Sequence, residues 1–342
     1  MIPPTPQNPA PSTQCGNFAL MRPLNLLVIS NPNARHLSVL EKLPDSTTIT
    51  VGRHADAFES AAPEADVILN GMGVGDTLKQ IWSSAPKVQW VHSLSAGVEY
   101  TLFPELIESP VPITNARGVF KRSLAEFAVS AVLFFAKDLR RMVRNQEATV
   151  WEQFDVEEIH GRTLGIVGYG EIGRSTAERA HALGMKIVAL RRRPALSAAD
   201  PIVDKFYSIE DRAAMMAVCD YVVAAAPLTE DTRGLIGEKE LAAMKSTAVI
   251  INVGRGPVIS EPALIQALQE KRIKGAGLDV FDKEPLPQDH PFWKLDNVLL
   301  SPHCADHTST WMEEAMDLFV SNFERFANGE PLQNVVDKRA GY

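Results

Sequence analysis

Three stretches in the second half of the chain carry side chains suited to acid–base chemistry. Arg255 lies in INVGRGPVI, Glu284 in AGLDVFDKEPLP and His303 in LLSPHCADHT, and each residue follows a short apolar run. A guanidinium can bind a carboxylate through two parallel hydrogen bonds, and an imidazole can give and take a proton near neutral pH. Together the three side chains predict a site that binds a small organic anion and moves a proton beside it.

Each of these side chains alone has a simpler interpretation. Arg255 can be a surface charge, Glu284 a solvated loop acid and His303 a satisfied helix-cap residue. The functional interpretation depends on their positions, because ligands of an open parallel sheet bind outside the carboxyl ends of its strands. His303 and His307 also have the i, i+4 spacing of a metal pair. No carboxylate or cysteine set completes such a site, so we predict no metal.

The segment GYGEIG matches the phosphate-binding turn of a dinucleotide site. The apolar run TLGIV precedes it and a helical stretch follows. Gly168 permits the tight turn, Gly170 lets a pyrophosphate approach the backbone, and Gly173 lets helix and strand pack closely. Glu171 and Ile172 open the helix, whose N-terminal N–H groups favour phosphate. The alternative is a plain strand-to-helix turn.

A cationic anchor, a carboxylate and an imidazole beside a nicotinamide are what the reduction of a 2-oxo acid requires. The anchor holds the substrate, and the imidazole supplies the proton that accompanies the hydride. The residues therefore predict an oxidoreductase that uses a nicotinamide dinucleotide.

Short apolar runs alternate with helical stretches, which predicts the α/β class with parallel sheets. A long helix is predicted from about Lys121 to Ala148, and an amphipathic helix from about Thr308 to Asn328. The runs predicted as strands are residues 25–30, 48–51, 66–70, 89–93, 163–170, 186–190, 221–226, 248–253, 275–281 and 297–301.

Length and composition limit the class of protein. The 342 residues have room for about two domains, and 45% hydrophobic with 22% charged residues suit a globular protein. A net charge of −8 argues against nucleic-acid and anionic-membrane partners. No apolar run reaches the roughly 18 residues of a membrane helix. The three cysteines form neither an even framework nor a CxxC pair, which favours a cytoplasmic location. Residues 1–22, rich in proline, are predicted to be a disordered tail.

From Leu24 to Val336 the chain resembles the D-isomer-specific 2-hydroxyacid dehydrogenases, most closely the glyoxylate and hydroxypyruvate reductases. The segments that carry the resemblance stand in the family's order: GYGEIG, PLTEDTRGLIG, MKSTAVIINVGRGPVI, GAGLDVFDKEPLP and SPH. The resemblance implies two Rossmann-like lobes, each a doubly wound parallel sheet, with the dinucleotide-binding lobe inserted into a split substrate lobe. The implied substrate (catalytic) domain is 23–114 with 305–342, and the implied dinucleotide-binding Rossmann domain is 115–304.

The resemblance also implies the roles of individual residues. Arg255 matches the family's substrate-binding arginine, Glu284 its carboxylate partner and His303 its acid/base. The segment SLSAGVE matches the loop whose backbone N–H groups hold the substrate carboxylate, near Ala96 and Gly97. Without the family, that segment can equally be a plain turn. The implied substrates are small 2-oxo and 2-hydroxy acids.

Further positions match the family's cofactor site. Pro227 follows the predicted strand 221–226, Val253 and Gly254 precede Arg255, and Asp279 lies on the nicotinamide side. Arg255 and His303 line the same site in the family. The resemblance also implies a homodimer, formed through the region of the predicted helix 121–148.

Three arginines follow the second strand of the predicted dinucleotide fold. An NAD-binding fold carries an acid there, which holds the ribose diol and repels the extra phosphate of NADP. Arg191 stands at this position, with Arg192 and Arg193 beside it. A guanidinium matches a phosphate in shape and charge, so we predict a preference for NADP(H). The alternative is a solvated basic turn, with NAD(H) used as well.

A second function class is compatible with the same fold. Some members of the family are dinucleotide-sensing transcriptional corepressors, in which the fold serves protein binding. The complete set of Arg255, Glu284 and His303 favours an enzyme over this alternative.

Overall fold

A computed structural model describes residues 23–192 and 200–342, and two parallel sheets organise this part of the chain. The first sheet comes from the N-terminal third. Its strands are β1 (Asn25–Ile29), β2 (Thr48–Gly52), β3 (Val67–Asn70), β4 (Trp90–Ser93) and β5 (Ile113–Asn115). They lie in the order β2-β1-β3-β4-β5, and every pair is parallel.

The second sheet comes from the middle and C-terminal parts of the chain. Its strands are β6 (Thr163–Val167), β7 (Lys186–Leu190), β8 (Lys205–Tyr207), β9 (Tyr221–Ala224), β10 (Val249–Asn252), β11 (Gly275–Leu278) and β12 (Val298–Leu300). Their order is β12-β11-β10-β9-β6-β7-β8, again parallel throughout. The fold class predicted from the sequence is therefore confirmed.

Helices cover the sheets. They are α1 (Thr77–Trp82), α2 (Pro104–Glu108), α3 (Lys121–Ala136), α4 (Leu139–Glu147), α5 (Glu171–Ala182), α6 (Arg212–Val218), α7 (Glu238–Ala243), α8 (Glu261–Gln269) and α9 (Trp311–Ala327). The central strands β3, β9 and β10 are buried along their whole length and are apolar except for the asparagine that ends β3 and β10. Such apolar runs are typical of parallel strands covered on both faces.

The second sheet reverses direction at one point. From β6 the chain winds outward through β7 and β8, then crosses back to β9 on the other side of β6. A crevice opens at this switch point, outside the carboxyl ends of β6 and β9. The glycine turn GYGEIG follows β6 directly, so it lies at the crevice.

Two crossings of the chain connect the sheets. After β5, helix α3 packs against α5 and against strands β10 and β11 of the second sheet. After β12, helix α9 returns to the first sheet, where Phe319 stacks on Trp90 with ring centroids 5.5 Å apart. Val335 then forms an antiparallel bridge with Thr114 of β5. The first sheet and the helix that covers it therefore come from segments that precede and follow the second sheet in the chain.

The predicted helix 121–148 is wrong in one respect, because the structure divides it. Asp138 adopts a left-handed conformation with φ 47° between α3 and α4. Aspartate tolerates this conformation better than most residues, so the break carries no glycine or proline signal. The sequence also missed the three-residue edge strands β5 and β8.

Among the described residues, no helix is long and apolar enough to cross a membrane. The predicted tail, residues 1–22, and Arg193 lie outside the described residues.

Candidate functional site

The glycine turn has the geometry that its sequence predicts. Gly168 has φ 95°, and a Cβ there would lie 2.6 Å from the backbone of Ala226. A Cβ on Gly173 would meet the carbonyl oxygen of Gly168 and lie 2.8 Å from Ile166. A Cβ on Gly170, in contrast, would have no protein atom within 4 Å. Packing therefore explains the first two glycines, whereas Gly170 faces open space at the N-terminus of α5.

This arrangement fits a dinucleotide. A pyrophosphate needs close access to the backbone and to the N-terminal N–H groups of a helix, and Gly170 leaves that space open. Ile172 packs against the core and fixes the first turn of α5. The side chain of Glu171 forms an ion pair with Lys121 of α3 at 2.8 Å. Lys121 lowers the pKa of Glu171 through this hydrogen bond, so the carboxylate stays charged.

A cleft of about 970 Å³ borders the glycine turn, and Gly170, Glu171 and Arg191 all line it. Arg191 therefore lies where the sequence predicts, beside the turn and after β7. Asp200 lines the same cleft, an acid that the sequence analysis did not consider. Tyr169 donates a hydrogen bond to Asp200 Oδ2 at 3.0 Å, and Arg174 Nε donates to the same oxygen at 3.1 Å.

Arg192 has partners at the surface. Its Nη2 forms an ion pair with Asp231 at 2.8 Å, and its Nη1 donates to the hydroxyl of Tyr342 at 3.2 Å. Arg191 and Arg192 are therefore not equivalent, since Arg191 is the one that lines the cleft.

The turn after β10 presents Arg255. Asn252 shapes the turn, because its Oδ1 accepts from the N–H of Gly254 at 3.1 Å and its Nδ2 donates to the carbonyl of Arg255 at 3.0 Å. A Cβ on Gly254 would lie 2.7 Å from the carbonyl oxygen of Ala226. Ala226 thus contacts both Gly168 and Gly254, and Val253 donates its N–H to Ala224 at the end of β9. The ends of β6, β9 and β10 meet here, immediately before Pro227.

His303 and Glu284 are joined by a short hydrogen bond, with His303 Nδ1 and Glu284 Oε2 2.6 Å apart. The N–H of Phe281 donates to the other oxygen of Glu284 at 2.9 Å, which fixes the carboxylate. Because Nδ1 is engaged, Nε2 of His303 is the ring atom that can exchange a proton with a substrate.

The hydrogen bond between His303 and Glu284 raises the pKa of the imidazole and lowers the pKa of the carboxylate. The hydrogen bond to Glu284 raises the pKa of His303, against burial, and the charge of Asp279 adds to the rise. Burial would raise the pKa of Glu284, but the hydrogen bonds from His303 and Phe281 outweigh it and lower the pKa. The charge of Arg255 acts on both groups, so these three predicted side chains share one neighbourhood.

Asp279 holds the loop that carries His303. Its Oδ1 accepts hydrogen bonds from Ser301 Oγ at 2.6 Å and from the N–H groups of Cys304 and Ala305 at 3.0 and 3.1 Å. His303 itself has φ 51°, a conformation that needs such support. From the sequence, Asp279 was predicted only as a cofactor residue, and this positioning role was missed.

The loop after β4 reaches the same site from the first sheet. Asn115 Nδ2 donates to the carbonyl of Ala96, and Ser95 Oγ donates to the carbonyl of Gly97, both at 2.6 Å. In a trans peptide the N–H points opposite to the C=O. The N–H groups of Gly97 and Val98 therefore point away from the side chains of Asn115 and Ser95. Glu99, which the sequence analysis did not single out, forms an ion pair with Arg255 across the two sheets.

Comparisons with known proteins agree with this geometry. Residues 129–305 match the family model described as "D-isomer specific 2-hydroxyacid dehydrogenase, NAD binding domain". A glyoxylate reductase of Thermococcus gammatolerans is 32% identical over 268 residues, which cover 76% of this chain and 79% of that protein. A glyoxylate/hydroxypyruvate reductase B of an Enterobacter species is 34% identical over 295 residues, covering 84% and 88%.

A solved structure has the same fold over nearly the whole length. It is the D-isomer-specific 2-hydroxyacid dehydrogenase of Xanthobacter autotrophicus Py2 in complex with NADPH and MES, with 30% identity and a TM-score of 0.80. The match covers 93% of this chain and 99% of that one. Since the sequence relatives, the family model and the fold all agree, this chain belongs to the D-isomer-specific 2-hydroxyacid dehydrogenase family.

Proposed function

We propose that this protein is an NAD(P)-dependent reductase that converts small 2-oxo acids of the glyoxylate and hydroxypyruvate type to D-2-hydroxy acids. The observation that carries the proposal is the hydrogen-bonded pair His303–Glu284, which lies within the influence of the Arg255 charge and beside a dinucleotide turn. The names of the two reductases similar to this chain support the substrate class.

Arg255 is proposed to bind and orient the substrate. Its guanidinium can donate to the carboxylate and to the ketone oxygen of a 2-oxo acid at once, which fixes the carbonyl carbon. The N–H groups around Ala96 and Gly97 are proposed to hold the carboxylate from the other side. The dinucleotide, when bound near Pro227, Val253 and Gly254, supplies the hydride.

His303 is proposed as the general acid. As the carbonyl carbon is reduced, negative charge builds on the ketone oxygen, and protonated Nε2 donates its proton there to give the hydroxyl group. In the oxidative direction neutral Nε2 takes that proton back. Glu284 holds the ring through Nδ1 and favours the charged imidazole, so the acid form persists to higher pH than in a free imidazole.

Two domains are proposed, one for the substrate and one for the dinucleotide. Residues 23–114 with 305–342 are the substrate domain, and residues 115–304 are the dinucleotide-binding domain. The location is proposed to be cytoplasmic, because the three cysteines form neither an even framework nor a CxxC pair.

Turnover tests this function directly. We expect the purified protein to oxidise reduced dinucleotide with glyoxylate, hydroxypyruvate or pyruvate. His303→Ala should lower kcat by about 10² to 10⁴-fold, the usual loss when a general acid is removed, while the variant still binds the cofactor. His307→Ala is the matched control, because that exposed imidazole stacks on Trp311 and should leave kcat unchanged.

The opposite results separate the alternatives. Near-native kcat in His303→Ala would refute the acid role. Tight dinucleotide binding without turnover of any 2-oxo acid would favour the corepressor-like binding function instead.

We further propose that the enzyme prefers NADPH, through contact of Arg191 with the 2′-phosphate. The position of Arg191 in the cleft beside Gly170 supports this, as does the NADPH complex of the similar Xanthobacter protein. Arg192 is next in the chain, but its guanidinium is already paired with Asp231. Asp200 in the cleft is the feature that would favour a ribose diol, but Arg174 and Tyr169 already bind its Oδ2.

Exchange of the charge at Arg191 tests the preference. A charge-assisted contact contributes roughly 1.5–3 kcal/mol, so Arg191→Asp should weaken NADPH by about ten- to a hundredfold. NADH lacks the 2′-phosphate and serves as the internal control, because its kcat/KM should change little. Equal kcat/KM for the two cofactors in the unmodified enzyme would contradict the proposal.

A further inference from the structure

The carboxylate of Glu99 already binds the guanidinium proposed to receive the substrate. Arg255 Nε donates to Glu99 Oε1, while Arg255 Nη1 donates to the carbonyl of Gly254 at 2.8 Å. The side chains of Glu99 and Arg255 are only 24% and 29% exposed, so solvent screens the pair less than it screens a surface pair.

The same carboxylate lies against the substrate loop. A Cβ on Gly97 would lie 2.5 Å from Glu99 Oε2 and would also meet Arg255 Nη2. One carboxylate oxygen therefore faces Arg255 and the other faces Gly97. These are the two sides from which a substrate carboxylate is proposed to be held, so a bound substrate must lie next to Glu99.

Each cationic side chain of the site already has a carboxylate partner before any substrate binds. Arg255 and protonated His303 carry one positive charge each, and their partners Glu99 and Glu284 carry one negative charge each. A substrate with one carboxylate adds a single negative charge and can share Arg255 with Glu99. A second anionic group on the same small molecule would lie within a few ångströms of Glu99, where repulsion is strong in a half-buried site.

We propose that Glu99 determines specificity by restricting the substrate to 2-oxo acids with a single anionic group. The third carbon of the substrate, where there is one, carries hydrogen or a hydroxyl group, and a hydroxyl can donate to the carboxylate of Glu99. A second carboxylate or a phosphate in that place is rejected. This inference rests on the proposed function, since it refines the substrate class of the same site.

A pair of product-side ligands isolates the charge. D-Glycerate and tartronate differ only in that a CH2OH group in the first is a carboxylate in the second. With NADP⁺ present, titration calorimetry should give the unmodified protein a dissociation constant at least about tenfold lower for D-glycerate. Glu99→Gln keeps the size and an oxygen that accepts from Arg255, so it should reduce this ratio by about tenfold.

The control variant is Glu105→Gln, an exposed carboxylate of α2 in the same part of the chain, which should leave the ratio unchanged. Thermal melting of Glu99→Gln checks that the fold is intact. The same ratio, within twofold, in Glu99→Gln and in the unmodified protein would overturn the proposal.

Failure of the proposed function is seen separately, in the turnover assay with glyoxylate and hydroxypyruvate. If no 2-oxo acid is turned over but D-glycerate still binds more tightly than tartronate in a way that depends on Glu99, the reductase function is refuted. The proposed selection by Glu99 for a single anionic group is then retained. Binding of neither ligand would refute both.

Discussion

The hydrogen bond between His303 and Glu284 sets the pH range in which reduction can occur. Reduction needs protonated His303, and Glu284 raises the pKa of that imidazole. For reduction, kcat/KM should therefore be maximal at low pH and should fall as the pH rises through the raised pKa of His303, which lies above the ordinary histidine value. Glu284→Gln removes the charge and should move this fall to lower pH. The pH profiles of the two enzymes test this, and a fall at unchanged or higher pH would contradict it.

At the residue scale, Arg255, Glu284 and His303 were singled out because each follows a predicted strand of a parallel sheet. The topology of the second sheet brings the ends of those strands to one edge. Glu99 was missed because its contact with Arg255 joins the two sheets, and no spacing rule relates residues so far apart. Its segment SLSAGVE was noted for its backbone N–H groups, and the carboxylate at its end was the available signal.

Two glycines in the turn between β6 and α5 are expected to have different roles, one in cofactor binding and one in stability. Gly170→Ala adds a Cβ with no protein atom within 4 Å, so the melting temperature should stay the same while cofactor affinity falls. Gly173→Ala forces a Cβ against the carbonyl oxygen of Gly168 and should lower the melting temperature. Thermal melting and cofactor titration of both variants test the contrast. Equal melting loss in the two variants would refute it.

At the element scale, prediction succeeded where apolar runs were continuous. Strands β1 to β4, β6, β7 and β9 to β12 were predicted. Strands β5 and β8 were missed because their three residues, ITN and KFY, include polar or charged side chains and form no apolar run. Helical stretches were expected between the first strands, where the structure instead has 3-10 turns at Arg35–Lys42, Ala55–Phe58 and Ala62–Glu64 with the short helices α1 and α2. Tertiary packing decides such short elements more than local propensity does.

At the scale of the whole molecule, apolar surface favours a homodimer. Within the predicted helix 121–148, α3 is packed against α5 and the second sheet, so the uncovered apolar side chains lie mainly in its second part. Helix α4 and the chain after it expose Val143, Val150 and, at 95% of its surface, Trp151. Exposed apolar patches of this kind are typical of protein interfaces.

We therefore predict twice the monomer mass by light scattering at micromolar concentration. The double variant Val143→Glu and Trp151→Glu should shift the protein toward the monomer, because burying two charges opposes association. Trp293→Glu, at a tryptophan that is 53% exposed and lies elsewhere in the chain, is the control and should leave the mass unchanged. A monomeric mass for the unmodified protein would refute the dimer.

The return of α9 to the first sheet has a consequence for the order of folding during synthesis. All seven strands of the second sheet precede α9 in the chain, whereas the first sheet needs Phe319 and Phe323 of α9 to cover Trp90. The ribosome adds residues one at a time, so the sheet that begins the chain keeps an apolar face open until nearly the last segment emerges. The part made first is therefore completed last, and chaperones that bind apolar surface have the longest access to the N-terminal strands.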